Sequence, residues 1–270
     1  MVLRLRYARR MRVNVAELRE VAADLAYRAG RLTLGYFGEA SAETKADSTP
    51  VTEADRAAET LIRGGIERRY PSHGICGEEF GEVREGAPVR WVVDPIDGTK
   101  AFVRGIPTYA VLVACEVDGV PRVGAAYFPA LDEMVSAAEG QGATLNGRPI
   151  RVSECADLGR ALLLTGDHKL LYSCGKGPRY EALRDACYES RSLPDAYGHV
   201  LVASGRAEIM ADPVVSRWDI AAIVPIVREA GGTLTDWNGS DVYFRPEALS
   251  TNGKLLASVL RNLACEQDRL

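Results

Sequence analysis

The segment that most constrains this chain is residues 91–99, which read WVVDPIDGT. The apolar pair at 92–93 predicts a short buried strand. Pro95 is expected to end the hydrogen-bond ladder of that strand, because proline has no backbone N–H to donate. Asp94 and Asp97 are therefore predicted to leave the strand at its carboxyl end, which is where α/β folds usually place ligands.

The chemistry of this segment favours a metal and a phosphate. Two carboxylates this close in sequence repel each other unless a cation or a proton lies between them. Mg²⁺ suits such hard oxygen ligands, and it fills its remaining positions with water and substrate phosphate. Gly98 allows backbone N–H groups to approach an anion, and Thr99 adds a hydroxyl beside them. The pattern indicates metal-assisted attack on phosphorus.

Two other interpretations of the segment are open to comparison. Aspartate, proline and glycine are ordinary turn residues, so the six residues 94–99 taken alone are also typical of a surface turn. The haloacid-dehalogenase motif also contains two catalytic aspartates, but only one residue separates them. Here two residues lie between Asp94 and Asp97, so the spacing argues against that family.

Composition restricts the class of protein. A length of 270 residues suits one large domain or two tightly joined ones, and 47% hydrophobic residues can form a sizeable core. The formal net charge of −4 argues against a general nucleic-acid or anionic-membrane surface. The arginine-rich first dozen residues are not expected to be a secretory signal, because no apolar stretch follows them, and no later run is long enough to cross a membrane. The six cysteines form no C-x-x-C pair, which favours reduced thiols and a cytoplasmic location.

Three regions are predicted along the chain. Residues 1–14 form a basic tail in which Met11 offers an alternative start. Residues 15–150 form an α+β metal-binding half, and residues 151–270 form an α/β half that completes the active site. Asn14 and Glu17 have the spacing of a capping box at the start of a helix over 15–37.

Further elements follow from local patterns. Thr52 and Asp55 have capping-box spacing at the start of a helix that runs to about residue 70. The dipeptide at 118–119 predicts a β-hairpin, and helices are expected at about 179–188 and 195–205. A single long helix is expected over 218–230, kinked at Pro225.

Four separated motifs point to one family when they are read together: PVTEAD at 50–55, GEE at 77–79, DPIDGT at 94–99 and WDIA at 218–221. In this order and at these separations they resemble the inositol monophosphatase superfamily of Mg²⁺-dependent, Li⁺-sensitive phosphatases, over residues 15–260. The resemblance implies an α/β fold, a layered αβαβα sandwich whose N-terminal half is α+β around a mostly antiparallel sheet. It also implies a homodimer that acts on a small-molecule phosphate ester.

The resemblance implies a site for two to three Mg²⁺ ions. Glu78, Asp94 and the backbone carbonyl of Ile96 would hold the first ion. Asp94, Asp97 and Asp219 would hold the second, and a weaker third would lie near Glu78. From the residues alone, Asp219 has a simpler interpretation, because a carboxylate in the first turn stabilises a helix N-terminus by ~0.3–1 kcal/mol.

Catalytic roles follow from the same resemblance. Thr99, hydrogen-bonded to Asp55, would orient the attacking water, and Glu78 would help to deprotonate it. Backbone N–H groups of Gly98 and Thr99 would bind the phosphate. The alternative for Asp55 is a purely structural role, in which it caps its helix together with Thr52.

Three stretches, 49–56, 100–107 and 212–222, resemble the histidinol-phosphate phosphatase branch, although Ala101 replaces the Ser or Asn often found there. Asp212 and Asp219 are expected to contact the substrate. The carboxylate of Asp212 suits the cationic amine of histidinol as well as the hydroxyls of inositol. L-Histidinol phosphate is the expected substrate. Alternatives are an inositol or cyclitol phosphate, 3′-phosphoadenosine 5′-phosphate, and, in a different class, an inactive ligand-binding or scaffold protein.

Overall fold

A computed structural model describes residues 13–39, 43–44, 50–243 and 245–264. Residues 1–12 of the predicted basic tail, Thr49 and Cys265 therefore lie outside the described residues. The described helices are α1 Val15–Thr33, α2 Glu53–Arg69, α3 Thr99–Phe102, α4 His168–Ser173, α5 Gly177–Ala186, α6 Asp195–Ala203, α7 Arg217–Ala221, α8 Ile223–Glu229 and α9 Leu256–Leu263, with a 3-10 turn at Leu158–Arg160.

Fifteen strands are described. Two short ones pair with each other: β1 Glu43–Thr44 and β2 Pro50–Val51. Eight form one sheet in the order β10-β9-β8-β7-β6-β5-β3-β4, in which only β3 and β5 are parallel. They are β3 Gly74–Gly77, β4 Gly81–Val83, β5 Val89–Asp97, β6 Ala110–Val117, β7 Val120–Phe128, β8 Glu133–Ala138, β9 Ala143–Leu145 and β10 Arg148–Ile150. The predicted hairpin at 118–119 is confirmed, because it joins β6 to β7.

The remaining strands form a mixed five-stranded sheet in the order β12-β11-β13-β15-β14. They are β11 Leu162–Thr165, β12 Glu189–Ser192, β13 Ile209–Asp212, β14 Thr233–Thr235 and β15 Ala248–Thr251. Strand β11 pairs in parallel with both β12 and β13, whereas β15 is antiparallel to β13 and β14.

Three layers of helix enclose the two sheets. Helices α1 and α2 pack their apolar faces on one side of the eight-stranded sheet. Helices α6, α7 and α8 pack on its other side, and α6 also packs on the five-stranded sheet. Helices α4, α5 and α9 cover the far side of the five-stranded sheet. This αβαβα order confirms the fold class expected from the resemblance.

Helix α1 begins at Val15 as predicted, but it ends earlier than predicted. It ends at Thr33 rather than at 37, because the chain then continues in i to i+3 hydrogen bonds up to Gly38, whose φ is +77°. At its start, Asn14 accepts a hydrogen bond from the backbone N–H of Glu17, which is one half of the predicted capping box. The full box predicted for α2, between Thr52 and Asp55, is present.

Pro95 does not end the strand that it interrupts, so this prediction was wrong. Strand β5 continues to Asp97, and its register with β6 shifts between Asp94 and Asp97. Such a bulge accommodates a proline, because the residues within it do not need a ladder hydrogen bond. The bulge also turns both carboxylates toward the same end of the sheet.

The long helix predicted over 218–230 is two helices, α7 and α8, that meet at Ala222. Because Pro225 has no N–H, it cannot donate to the carbonyl of Ala221 in the turn before it, and the helix breaks there. The break packs closely on the eight-stranded sheet: a Cβ at Gly124 would lie 2.0 Å from the carbonyl oxygen of Ala222. None of the described helices is both long and apolar enough to cross a membrane.

Candidate active site

Seven of the predicted site residues line a single cavity of about 190 Å³. The cavity lies where β3 and β5 end and where α3 and α7 begin. Its lining residues are Glu78, Asp94, Ile96, Asp97, Gly98, Thr99, Lys100, Asp195 and Asp219.

Three carboxylates form the centre of this cavity. One oxygen from each of Asp94, Asp97 and Asp219 lies within 4.8 Å of the others. Backbone N–H groups orient all three: that of Ile96 donates to Asp94 over 3.0 Å, that of Ala196 to Asp97 over 2.8 Å, and that of Ser216 to Asp219 over 2.8 Å. The bulge of β5 and the first turn of α7 thus place their acids around one point.

Burial makes these carboxylates hard to ionise together. Desolvation raises the pKa of Asp94 and of Asp97 well above the usual value, and neighbouring carboxylates add to the shift. The pKa of Asp219 is raised to about 7 for the same reasons. A divalent cation removes this repulsion, and three carboxylates with no nitrogen or sulfur donor suit a hard cation such as Mg²⁺. The residues present therefore fit a metal ion.

The edge of the cavity beside the carboxylates is formed by the start of α3. Gly98 has a φ of +81°, which glycine adopts without strain. A side chain there would also collide with its neighbour, because a Cβ at Gly98 would lie 2.9 Å from Oδ2 of Asp195. The hydroxyl of Thr99 donates to the carbonyl of Ile96 over 3.1 Å.

Asp55 lies outside this cavity, and its expected hydrogen bond with Thr99 is not formed between the described residues. One oxygen of Asp55 instead accepts from the backbone N–H of Thr52 at 2.8 Å and from its hydroxyl at 2.6 Å. Burial raises the pKa of Asp55, and the nearby charge of Glu78 adds to the shift. The structure therefore shows Asp55 in the capping box of α2, with Thr52 as the N-cap, which was the alternative interpretation of this residue.

A second recess of about 120 Å³ adjoins the carboxylates and contains Asp212. Asp97 and Asp219 line both spaces, so the recess continues directly from the central cavity. Asp212 is the last residue of β13, and burial raises its pKa well above the usual value. Asp195 and His199, both on α6, line the recess on another side.

Two residues of the site were missed from the sequence, Asp195 and Lys100. Asp195 has a φ of +60° and lines both spaces, with its pKa raised to about 6 by burial. From the sequence it was only the first residue of the helix predicted over 195–205. The available signal was an acidic residue directly after Pro194, at the start of that predicted helix. Lys100 lies 3.7 Å from Asp167 at the outer edge of the recess.

Comparisons with known proteins agree with this geometry. The family model for the inositol monophosphatase family matches residues 14–268. The chain is 44% identical over 232 residues to a histidinol-phosphatase of Chlorobaculum parvum, with 85% of this chain and 90% of the relative covered. It is 43% identical over 250 residues to a histidinol-phosphatase of Mycobacterium tuberculosis, with coverage of 90% and 96%.

A solved structure shares the fold. Inositol monophosphatase from Anabaena (Nostoc) sp. PCC 7120 superimposes with a TM-score of 0.83 at 30% identity, and the alignment covers 93% of this chain and 96% of that one. The family match extends over nearly the whole chain, and the acidic cavity lies within it. The chain therefore belongs to the inositol monophosphatase family, and it is a hydrolase of phosphate monoesters.

Proposed function

We propose that this chain hydrolyses L-histidinol phosphate to L-histidinol and inorganic phosphate in a Mg²⁺-dependent reaction. The observation that supports this choice of substrate is the acidic recess beside the central carboxylates. Asp195 and Asp212 add two carboxylates there that the metal cluster does not need. Such a surface suits a leaving group with a positive charge, and histidinol carries an ammonium group. Similarity to two histidinol-phosphatases at 43–44% identity supports the same substrate.

The proposed metal ligands follow the carboxylates of the cavity. Glu78, Asp94 and the carbonyl of Ile96 would hold one Mg²⁺, Asp94 with Asp97 and Asp219 would hold a second, and a weaker third would lie near Glu78. Bound Mg²⁺ lowers the pKa of a water ligand and neutralises charge on the attacking and leaving oxygens.

The protein's own groups would orient the reactants. The backbone N–H groups of Gly98 and Thr99 would bind phosphate oxygens, and the hydroxyl of Thr99 would orient the attacking water. Glu78 would accept its proton. Asp55 would contribute by fixing the first turn of α2, and Asp212 and Asp219 would contact the leaving group from the recess side.

We further propose that the protein is a cytoplasmic homodimer that lithium inhibits, as the family resemblance implies. Light scattering on the purified chain measures the oligomeric state directly. A mass close to that of one 29.3 kDa chain would contradict the dimer.

An inositol or cyclitol monophosphate is the second candidate substrate. The observation that favours it is the shared fold with the Anabaena inositol monophosphatase, together with a carboxylate at Asp212 that can accept hydrogen bonds from ring hydroxyls. Both candidates use the same metal chemistry, so the leaving group alone distinguishes them.

Phosphate release from purified protein tests the proposal. The substrates are L-histidinol phosphate, inositol 1-phosphate, 3′-phosphoadenosine 5′-phosphate and fructose 1,6-bisphosphate, each with Mg²⁺ and with EDTA. We expect the highest kcat/KM for L-histidinol phosphate, and no release in EDTA. A higher kcat/KM for inositol 1-phosphate would overturn the proposed substrate. Equal rates in Mg²⁺ and EDTA would overturn the metal dependence.

A further inference from the structure

His199 is a buried histidine with one nitrogen that no partner satisfies. It lies on α6 with 2% of its surface exposed, and its Nδ1 lies 2.7 Å from the hydroxyl of Ser250 on β15. Its Nε2 has no hydrogen-bond partner among the described residues. Because nearly all buried polar atoms in folded proteins are paired, an unpaired one that borders a cavity indicates a place for a water or a ligand atom.

The unpaired nitrogen faces the recess next to the active site. His199 and Asp212 both line it, and Nε2 lies 3.9 Å from Oδ2 of Asp212. That distance is too long for a direct hydrogen bond. A single ligand atom between them can nevertheless lie at hydrogen-bond distance from both. Since Asp97 and Asp219 line the same recess, this point is adjacent to the carboxylates that would hold the metal.

The state of the imidazole decides which ligand fits. Burial lowers the pKa of His199 to about 3, so the ring is neutral near pH 7. When Nδ1 carries the proton and donates to Ser250, Nε2 is a hydrogen-bond acceptor. The recess then presents two acceptors to one point, namely Nε2 of His199 and Oδ2 of Asp212.

An ammonium group satisfies two such acceptors at once. It has three donors and no acceptor, whereas a hydroxyl has only one proton to donate. We propose that His199 Nε2 and Asp212 Oδ2 together bind the ammonium group of an amino-alcohol phosphate, which makes His199 a specificity-determining residue. This inference rests on the proposed function and adds to it the residue that selects an amine over a hydroxyl.

The test compares two substrates on the same enzyme preparation. A loss of folded protein lowers both rates equally, so it cancels in the ratio of the two. One substrate is L-histidinol phosphate, and the other is 3-(imidazol-4-yl)propyl phosphate, which lacks only the amine and its charge. In His199→Leu we expect kcat/KM for L-histidinol phosphate to fall roughly 10- to 100-fold, as for loss of a hydrogen bond to a charged group. The value for the amine-free analogue should change less than threefold, since it makes no such bond.

Two further variants separate recognition from packing. His199→Gln keeps an amide oxygen that can accept near the position of Nε2, and we expect it to retain a larger share of the preference for the amine than His199→Leu. Val200→Ala removes buried volume from the next residue of the same helix and should leave the substrate ratio unchanged. Equal losses for both substrates in His199→Leu would overturn the inference, because they would show a structural role only.

A binding measurement gives a readout independent of turnover. We expect the Kd of the product L-histidinol, measured by calorimetry, to rise in His199→Leu by a factor similar to the loss in kcat/KM. An unchanged Kd would overturn the inference. Wild-type protein that prefers inositol 1-phosphate would overturn the proposed function itself. If the wild type hydrolyses L-histidinol phosphate but His199→Leu leaves the kcat/KM ratio of the two substrates unchanged, only the role of His199 is overturned.

Discussion

At the scale of single residues, Asp94 is the carboxylate on which the proposed metal chemistry most depends. It is 2% exposed, and its pKa is raised well above the usual value by burial, Glu78, Asp97 and Asp219. Loss of a residue that only holds a metal ligand in place typically lowers activity ~10- to 100-fold. In Asp94→Asn we expect a larger fall in turnover, because a direct ligand is removed. Turnover measured across a Mg²⁺ titration checks this.

The fold should survive that substitution. Removing one charge from a crowded acidic cluster relieves repulsion, so we expect the Tm in EDTA to stay the same or rise. Asp24→Asn makes the same chemical change at an exposed carboxylate of α1 and should leave turnover unaffected. Near-normal activity of Asp94→Asn at saturating Mg²⁺ would exclude Asp94 as a metal ligand.

Asp212 is expected to affect substrate choice rather than metal binding. It lines the recess but is not one of the three carboxylates that converge in the cavity. Asp212→Ala should lower kcat/KM for L-histidinol phosphate roughly 10- to 100-fold relative to an aryl phosphate without an amine, because an acceptor for a charged group is lost. The Mg²⁺ concentration for half-maximal activity should stay within about threefold of wild type. Unchanged relative rates would remove Asp212 from the site.

The site residues that could be predicted from the sequence are those that lie close together in one segment. Asp94, Asp97 and Gly98 are neighbours in one segment, so the cavity they form could be predicted from the segment alone. Asp195 could not be predicted in this way, because its contact with Gly98 depends on the docking of α6 against β5. The hydrogen bond expected between Thr99 and Asp55 is not formed among the described residues, because the Thr99 hydroxyl donates to the nearby backbone carbonyl of Ile96.

At the scale of elements, the short helix α7 is held in place by a buried ion-pair network. Arg217, two residues before Asp219, contacts both carboxylate oxygens of Glu116 at 2.7 Å, and it contacts Glu82 at 3.1 Å. Arg90 pairs with the same Glu116 at 2.8 Å. Glu116 is 1% exposed, so strands β4, β5 and β6 are tied to α7 through a group that water does not screen.

Removing Arg217 should loosen α7 and weaken metal binding. In Arg217→Met we expect half-maximal activity to require roughly tenfold more Mg²⁺, because Asp219 loses its support. The free energy of unfolding should fall by less than the ~3–5 kcal/mol of a fully broken buried pair, since Arg90 still neutralises Glu116. Arg228→Met breaks an exposed pair with Asp241 and is the matched control, expected to cost under ~1 kcal/mol. An unchanged Mg²⁺ requirement would contradict the positioning role.

Prolines lie at two of the places where element predictions were wrong, and they acted in opposite ways. In β5, Pro95 is absorbed by a bulge, which depends on the neighbouring strand β6 and is invisible in local sequence. In α8, Pro225 breaks the helix about one turn upstream, at Ala222, and Gly124 on the sheet provides the space for that break. In both cases the proline in the sequence indicated where the regular element is interrupted. Tertiary packing determined whether the interruption is a bulge or a helix break.

At the scale of the whole molecule, the site lies between the two sheets, beside the helical layer that separates them. Asp94 and Asp97 come from the eight-stranded sheet, Asp212 from the five-stranded sheet, and Asp195 and Asp219 from the helical layer between them. Folding therefore brings together five carboxylates from separate segments of the chain, at 94–97, 195 and 212–219. The free energy of unfolding must depend on how their charge is compensated, by protons or by a cation.

This compensation predicts a specific effect of pH. Carboxyls with a raised pKa bind more protons in the folded than in the unfolded chain, so without metal the stability falls as pH rises through the folded pKa, which for Asp219 is about 7. His199, with its lowered pKa, has the opposite effect, but only below the unfolded value near 6.5. Between pH 6.5 and 8 we therefore expect the Tm in EDTA to decrease, and the gain in Tm on adding Mg²⁺ to increase.

Thermal unfolding across that pH range, in EDTA and in saturating Mg²⁺, checks the effect. Asp219→Asn should flatten both curves, because it removes a group that titrates in the window and a proposed metal ligand. Asp24→Asn should follow wild type, because Asp24 on α1 lines neither the central cavity nor the recess. A gain in Tm from Mg²⁺ that stays constant from pH 6.5 to 8 would mean that protons and metal do not compete for these carboxylates. The cavity would then not be the metal site, and the acids gathered there by both sheets would need another counter-charge.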